Sequence, residues 1–233
     1  MSKQKIKKVV YFIVEGNTDK TALKNIFQKI YKHRDIRFEF MDGDITSDED
    51  INISNVCDMI YNKIKEDMLQ SKLKKNDIWK IVQIFDMDGT YIPDSAVKKG
   101  DTKEFIYTTT SISCKYPERV LERNRKKTEI MDYLLKQSEI NGIPYQGFYV
   151  SSNLDHALYN EQNLTDEEKK KKADLFYKTF WGKEKLFIPF LEKYVVNGVP
   201  DSFPISWRYI KEGTRSLERH SNLHVYFKEN PYE

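Results

Sequence analysis

Two cysteines in 233 residues, Cys57 and Cys114, are too few for a disulfide framework, and without a Cys-x-x-Cys they make no zinc knuckle. Nine glycines and seven prolines punctuate the chain sparsely. No linker rich in Pro, Gly or Ser divides it, and no internal repeat is present. The longest unbroken apolar run, Val9–Val14, is far too short for a membrane-spanning helix. No apolar signal segment or small-residue cleavage site follows the basic N-terminal residues, so a cytoplasmic, reduced protein is expected. Gly-x-Ser-x-Gly, Walker A and Gly-x-Gly-x-x-Gly are all missing, which removes the hydrolase elbow, the P-loop and the dinucleotide fingerprint. Charge is nearly balanced, 39 Lys+Arg against 36 Asp+Glu, and the net +3 by itself says nothing about nucleic acid.

What is present is material for a core. Hydrophobic residues make up 39% and aromatics 13%, so a folded chain is expected. Lys8–Val14 reads as a strand buried on both faces. Leu23, Ile26, Phe27, Ile30 and Tyr31 then form one helical stripe. Ile36–Met41 alternates as a second strand, and Val56, Met59, Ile60, Ile64 and Met68 mark a second helix. Ile78–Phe85 is a third strand, followed by a long polar insertion. A helix through Ile130, Met131, Leu134 and Leu135 leads to a strand over Gln146–Ser151. Thr165-Asp-Glu-Glu168 is a capping-box signature for a helix through Leu175 and Phe176, and Phe187–Val196 reads as another. Strands alternating with helices predict an α/β fold: a mainly parallel sheet with helices on both faces over residues 1–160. Residues 161–233 are expected as a helical C-terminal extension packed on it, not folding alone.

In an open parallel sheet the functional groups gather at the carboxyl ends of the strands. Strand one ends at Glu15, strand three at Asp86-Met87-Asp88, and the strand over Gln146–Ser151 runs out to Asp155. Asp86 and Asp88, two apart in extended chain, point to one side. Carboxylates crowded at one edge repel unless protonated or matched by a cation, and hard oxygens suit Mg²⁺ or Mn²⁺. Glu15, Asp86 and Asp88 are therefore the candidate metal and catalytic residues, with Asp19 and Asp155 as further metal candidates. A first-turn Asp19 also simply favours the helix dipole.

Ile13-Val14-Glu15-Gly16-Asn17-Thr18-Asp19-Lys20, followed by Ile84-Phe85-Asp86-Met87-Asp88, resembles a Toprim domain over residues 8 to 155. The Glu-Gly-x-Thr-Asp-Lys turn is most similar to the OLD-family and RloB-like branch, which is associated with phage defence. The resemblance implies a Rossmann-like sheet and Mg²⁺-dependent cleavage of DNA or RNA. Glu15 would act on protons or metal, and Asp86 and Asp88 would hold Mg²⁺ against phosphate, with Lys20 beside them. It also implies an abortive-infection effector, whose partners include nucleic acid, a second protein of a two-gene system or a further copy of the chain. The gap after strand three departs from the usual pattern, and Asp155 matches the later acid of nuclease members only loosely.

Two other readings remain open. Phe85-Asp86-Met87-Asp88-Gly89-Thr90 also resembles the first motif of haloacid-dehalogenase-type phosphatases, with Asp86 as nucleophile and Ser151-Ser152 as a second motif. That reading lacks a late acidic pair and leaves Glu15 idle. A Toprim-like module that binds nucleic acid or a partner without cutting is the third. Basic clusters occur at Lys5–Lys8, Arg123–Lys127 and Lys169–Lys172, and each alone reads as a solvated face. Trp207–Arg219 mixes aromatics and cations; as one helix it would align Arg208, Lys211, Arg215 and Arg219 on a face able to follow phosphates. His220 and His224 have helical spacing but no accompanying Glu, so a packed or surface role is expected over zinc binding.

Overall fold

The computed structural model describes residues 8–32, 34, 36–43 and 45–232, with only the backbone of Asp42. The chain runs β1 (Lys8–Val14), α1 (Asn17–Ile30), β2 (Ile36–Asp42), α2 (Val56–Gln70) and β3 (Ile78–Asp86). The insertion follows as β4 (Val97–Lys99), β5 (Ile106–Tyr107) and β6 (Ile112–Cys114). Next come α3 (Pro117–Leu134), β7 (Glu139–Ile140), β8 (Ile143–Val150), α4 (Leu154–Tyr159) and α5 (Asp166–Phe180). The last elements are α6 (Phe187–Leu191), α7 (Phe203–Ile210) and α8 (Leu223–Glu229).

The main sheet has the order β2-β1-β3-β8-β7. β2, β1, β3 and β8 are parallel, while the short β7 pairs antiparallel with β8. The fold is thus α/β, with a mixed, mostly parallel sheet flanked by helices. Alternate residues of β1 feed two cores. Val10, Phe12 and Val14 pack with α1, α5, α6 and α8, whereas Val9, Tyr11 and Ile13 pack with α2, α3 and α7. On the first side the Phe12 and Phe40 rings stack at 4.9 Å, and Tyr226 of α8 meets Phe12 edge-on at 5.3 Å. Each such ring removed from water contributes roughly 1.5–3 kcal/mol.

Residues beyond 160 belong to these same cores instead of lying beside the sheet. Tyr226 and Phe227 are buried against β1 and α1, Trp207 packs on β8, and Ser221 bridges Val150. Trp207 Nε1 donates to the Gly147 carbonyl at 3.1 Å. Gly147 itself has no room for a side chain, since a Cβ there would lie 2.5 Å from the Phe85 ring. The long polar insertion is not simply a loop: it carries a small sheet of order β4-β6-β5 over a third cluster of Ile92, Ile112, Cys114, Val120 and Leu217. Thr165 caps α5 as expected, its hydroxyl accepting from Glu168 N at 3.3 Å while Glu168 accepts from Thr165 N at 2.9 Å. The helix expected over Phe187–Val196 becomes α6 followed by a wider turn over Glu192–Val196. No helix among the described residues is long and apolar enough to cross a membrane.

Candidate active site

β1, β3 and β8 are adjacent at the middle of the sheet, so their carboxyl ends share one edge. Glu15, just after β1, is tied to the end of β3: its Oε1 accepts the Asp86 N–H at 3.2 Å and the Thr46 hydroxyl at 3.1 Å. Asp86 Oδ1 in turn accepts the Leu154 N–H at 3.1 Å, at the start of α4 after β8. Asp88 sits in left-handed backbone (φ 47°), as does Ser152 (φ 49°), and the Asp88 N–H donates to the Ser152 carbonyl at 2.5 Å. Two non-glycine residues in this sparsely populated conformation at neighbouring strand ends mark a strained edge. Gly89 continues the turn at φ 70°, where a Cβ would strike Leu217 at 2.7 Å.

An ammonium lies among these acids. Lys127, on α3, has a fully buried side chain (0% exposed), with Nζ 2.6 Å from Asp88 Oδ2 and 3.2 Å from the Glu15 carboxylate. The Glu15 and Asp88 side chains are 12% and 18% exposed, so the cluster is recessed but open to solvent. Arg123, one turn earlier on α3, donates to the Asp88 carbonyl at 2.7 Å and to the Tyr107 hydroxyl at 2.5 Å. Burial alone would raise Asp88, but Lys127 and Arg123 outweigh it and hold the carboxyl below its usual range. Asp86 shows the opposite shift. Burial and then the Asp19, Glu15 and Asp88 charges push it well up.

The remaining acids stand behind this front. Asp19 is buried and pushed up to about 7, mainly by burial, although its Oδ2 accepts the Gly16 N–H at 2.9 Å and so caps α1. Asp155 lies 3.5 Å from Lys169 and is raised by burial despite that cation. Glu15, Asp19, Asp86, Asp88 and Asp155 therefore all belong to one electrostatic neighbourhood. Among the described residues its nearest cations are Lys127, Arg123 and Lys169.

As the side chains stand, no group of three or more His, Cys, Asp or Glu among the described residues encloses an ion. Lys127 Nζ fills the gap between Glu15 and Asp88. The donor chemistry nonetheless suits a hard divalent cation, since all the donors are carboxylate oxygens. Asp86, partly exposed and pushed up by burial and then by the charges of Asp19, Glu15 and Asp88, is the carboxyl that an added cation would relieve most.

Other candidates are not brought here. Lys20 lines a separate cleft with Lys63, Glu66 and Asp67. The expected stripe of Arg208, Lys211, Arg215 and Arg219 does not form, because α7 ends at Ile210 and Gly213 (φ 58°) turns the chain. Lys211 pairs with Asp132 at 2.5 Å and Arg215 with Glu212 at 2.6 Å. Arg219 donates to the Ala157 and Leu158 carbonyls of α4. His220 and His224 are buried, near Glu218 and Asp201 respectively, and among the described residues neither joins a group of three metal-ligating side chains. His156 is buried too and pushed down to about 4 by burial and then by Arg219. Of the Lys5–Lys8 cluster, only Lys8 lies within the described residues.

Arg123 and Lys127 were visible only as a basic run read as a solvated face. A signal did exist. Val120, Asn124, Lys127, Met131 and Leu134 follow helical spacing on the buried side of α3, and Lys127 is the one charge on that stripe. A lysine at such a position needs a buried carboxylate.

No protein-family model matches this chain, and comparison with curated proteins and with solved structures finds no match.

Proposed function

We propose that this chain is a Mg²⁺- or Mn²⁺-dependent phosphodiesterase of Toprim type, cleaving DNA or RNA as a cytoplasmic antiviral effector. One observation carries the reading: Glu15 after the first strand lies against the Asp86-x-Asp88 turn after the third, 3.2 Å from the Asp86 N–H. The Rossmann-like details, the OLD-family or RloB-like branch and the role in abortive infection rest on the sequence resemblance.

Asp86, Asp88 and Glu15 would hold the ion, with Asp19 and Asp155 behind them. A bound divalent ion supplies a water of lowered pKa and neutralises charge growing on a phosphodiester. Lys127 already matches part of the carboxylate charge, which reduces repulsion of an incoming polyanion. Asp19, titrating at about 7, can take up and return a proton at neutral pH. Burial and the neighbouring carboxylates favour the protonated form of Asp86, so proton and metal would compete for it.

The phosphatase reading gives Glu15 no task. The contact between Glu15 and the backbone of Asp86 counts against it. Plasmid, single-stranded DNA, RNA and a small phosphate ester are to be incubated with the protein in Mg²⁺, Mn²⁺ or EDTA. Polymer cleavage lost in EDTA is expected. Glu15→Gln, with folding checked by circular dichroism, should lower the cleavage rate about a hundredfold or more. Phosphate release from the small ester, unaffected by Glu15→Gln, would replace this reading with the phosphatase. Binding without cleavage would replace it with a non-catalytic module.

A further inference from the structure

Beside the acid cluster lies a cleft of about 600 Å³ lined by Ser47, Glu49, Phe105, Arg119, Glu122, Arg123 and Lys126. Two links join it to the acids. Arg123 lines the cleft and also holds the Asp88 carbonyl. Ser47 lines it while its neighbour Thr46 donates to Glu15.

The cations of the cleft follow α3. Arg119, Arg123 and Lys126 recur at spacings of four and three, which places them on one helix face beside the buried stripe that carries Lys127. Their surroundings change along it. Lys127 is sealed into the acid cluster, Arg123 is half-buried, and Arg119 is exposed at the mouth. Arg119 and Arg123 both lie over the Phe105 ring, at 5.7 and 5.0 Å, so the insertion fixes both guanidinium planes. Lys126 donates to the Asp48 carbonyl at 2.6 Å. Among the described residues neither Arg119 nor Lys126 has a carboxylate within ion-pair distance, although Glu49 and Glu122 also line the cleft. Cations anchored by carbonyls and rings keep their charge available for a ligand.

One turn of helix separates Lys127 from Arg123 and another separates Arg123 from Arg119, about 6 Å each at 1.5 Å per residue. That interval is of the order of the distance between successive phosphates in an extended strand. A duplex presents its phosphates on a stiff convex cylinder. It cannot lower one of them into a recess between the insertion and the loop of residues 45–50. A single strand bends into such a recess and stacks bases on arginine planes.

We infer that this cleft seats single-stranded nucleic acid, with the phosphates next to the reacting one held by Arg119, Arg123 and Lys126. The inference rests on the proposed activity for its reacting phosphate, but strand binding can be measured without cleavage. Glu15→Gln protein in Mg²⁺ serves as host, so the strand stays whole. Fluorescence anisotropy is recorded with a short labelled single-stranded DNA, the same RNA and the matching DNA duplex, over a range of salt.

Single strands should bind more tightly than the duplex, and comparing the DNA and RNA arms tells which sugar is taken. Adding Arg119→Ala or Lys126→Ala should weaken single-strand binding about three- to tenfold, each lowering the salt slope by about one. Lys29→Ala, on the exposed basic face near Ile36 at the other end of the strands, should change nothing. Equal or tighter duplex binding, no effect of the two cleft variants, or an equal effect of Lys29→Ala would each overturn the inference. Cleavage by the parent protein with binding indifferent to Arg119 and Lys126 would leave the nuclease reading intact and remove this one. Cleft-dependent binding by a protein that never cuts would do the reverse.

Discussion

Two basic segments of this chain look alike on paper and end in opposite roles. Arg119 to Lys127 lies within one unbroken helix, α3, whose face carries its cations from solvent into the acid cluster. Arg208 to Arg219 is broken at Ile210 and Gly213, and three of its cations are taken up within the fold, Lys211 by Asp132, Arg215 by Glu212 and Arg219 by α4. Glu212 pairs with Arg215 three residues on, Tyr209 stacks on the Arg215 guanidinium at 3.9 Å, and Arg219 caps the carbonyls ending α4. Charge density therefore does not decide which cations share a face. Helix continuity does, together with the acceptors that the fold brings beside each cation.

The comparison can be broken most forcefully at Lys127. Lys127→Met keeps the apolar stem but leaves Glu15 and Asp88 facing each other in a recess. Loss of one partner from such a buried pair typically costs about 3–5 kcal/mol. Urea unfolding should show a loss of that order in EDTA, and added Mg²⁺ should return a large part of it. An unchanged unfolding midpoint would mean that Lys127 does not balance these carboxylates.

The second segment is tested through His156, which Arg219 helps to keep neutral. Its folded pKa of about 4 lies below the usual value near 6.5, so the unfolded chain takes up a proton first. The resulting stability is intact above pH 6.5 and is lost as pH falls through 4, on the order of 3 kcal/mol. The stability gap between the parent and His156→Gln should narrow by about that amount from pH 7 to pH 4. A constant gap would show that His156 titrates normally.

The smallest effects belong to the exposed cations of the second segment. Arg215→Ala removes a surface pair with Glu212 and should cost less than about 1 kcal/mol. Arg208→Ala should leave strand binding within twofold, about 0.4 kcal/mol. A tenfold loss at either residue would restore the segment as a phosphate track.

Why one segment was misjudged is physical. Gly213 stands in the middle of the imagined helix, where glycine costs about 1 kcal/mol relative to alanine, and it adopts a conformation in which a helix stops. β1 and β3 were legible as runs rich in β-branched and aromatic residues that end at acids, and β2 by its alternation of Ile36, Phe38 and Phe40 with Arg37 and Glu39. β4 to β6 were not, since strands of two or three residues show no alternation to read. α8 escaped for another reason: Leu223, Val225, Tyr226 and Phe227 are buried nearly all round it, so it carries no amphipathic stripe. Lys127 required knowing which strand end faces α3, information that exists only in the assembled fold.

The seating of Tyr226 and Phe227 on β1 and α1 also sets a schedule for synthesis. Phe12 emerges early, yet the ring that closes over it is more than 200 residues away. At roughly 5–20 residues per second, a ribosome leaves that face of the sheet without its α8 cover for about 10–40 s. During that interval α1 can already pack on Phe12 through Phe27, at 4.8 Å, but the α8 side of this core stays open to water. The acid edge is borne by those same strands, so a chain stopped before α8 would carry Glu15 and Asp86 on an incomplete support.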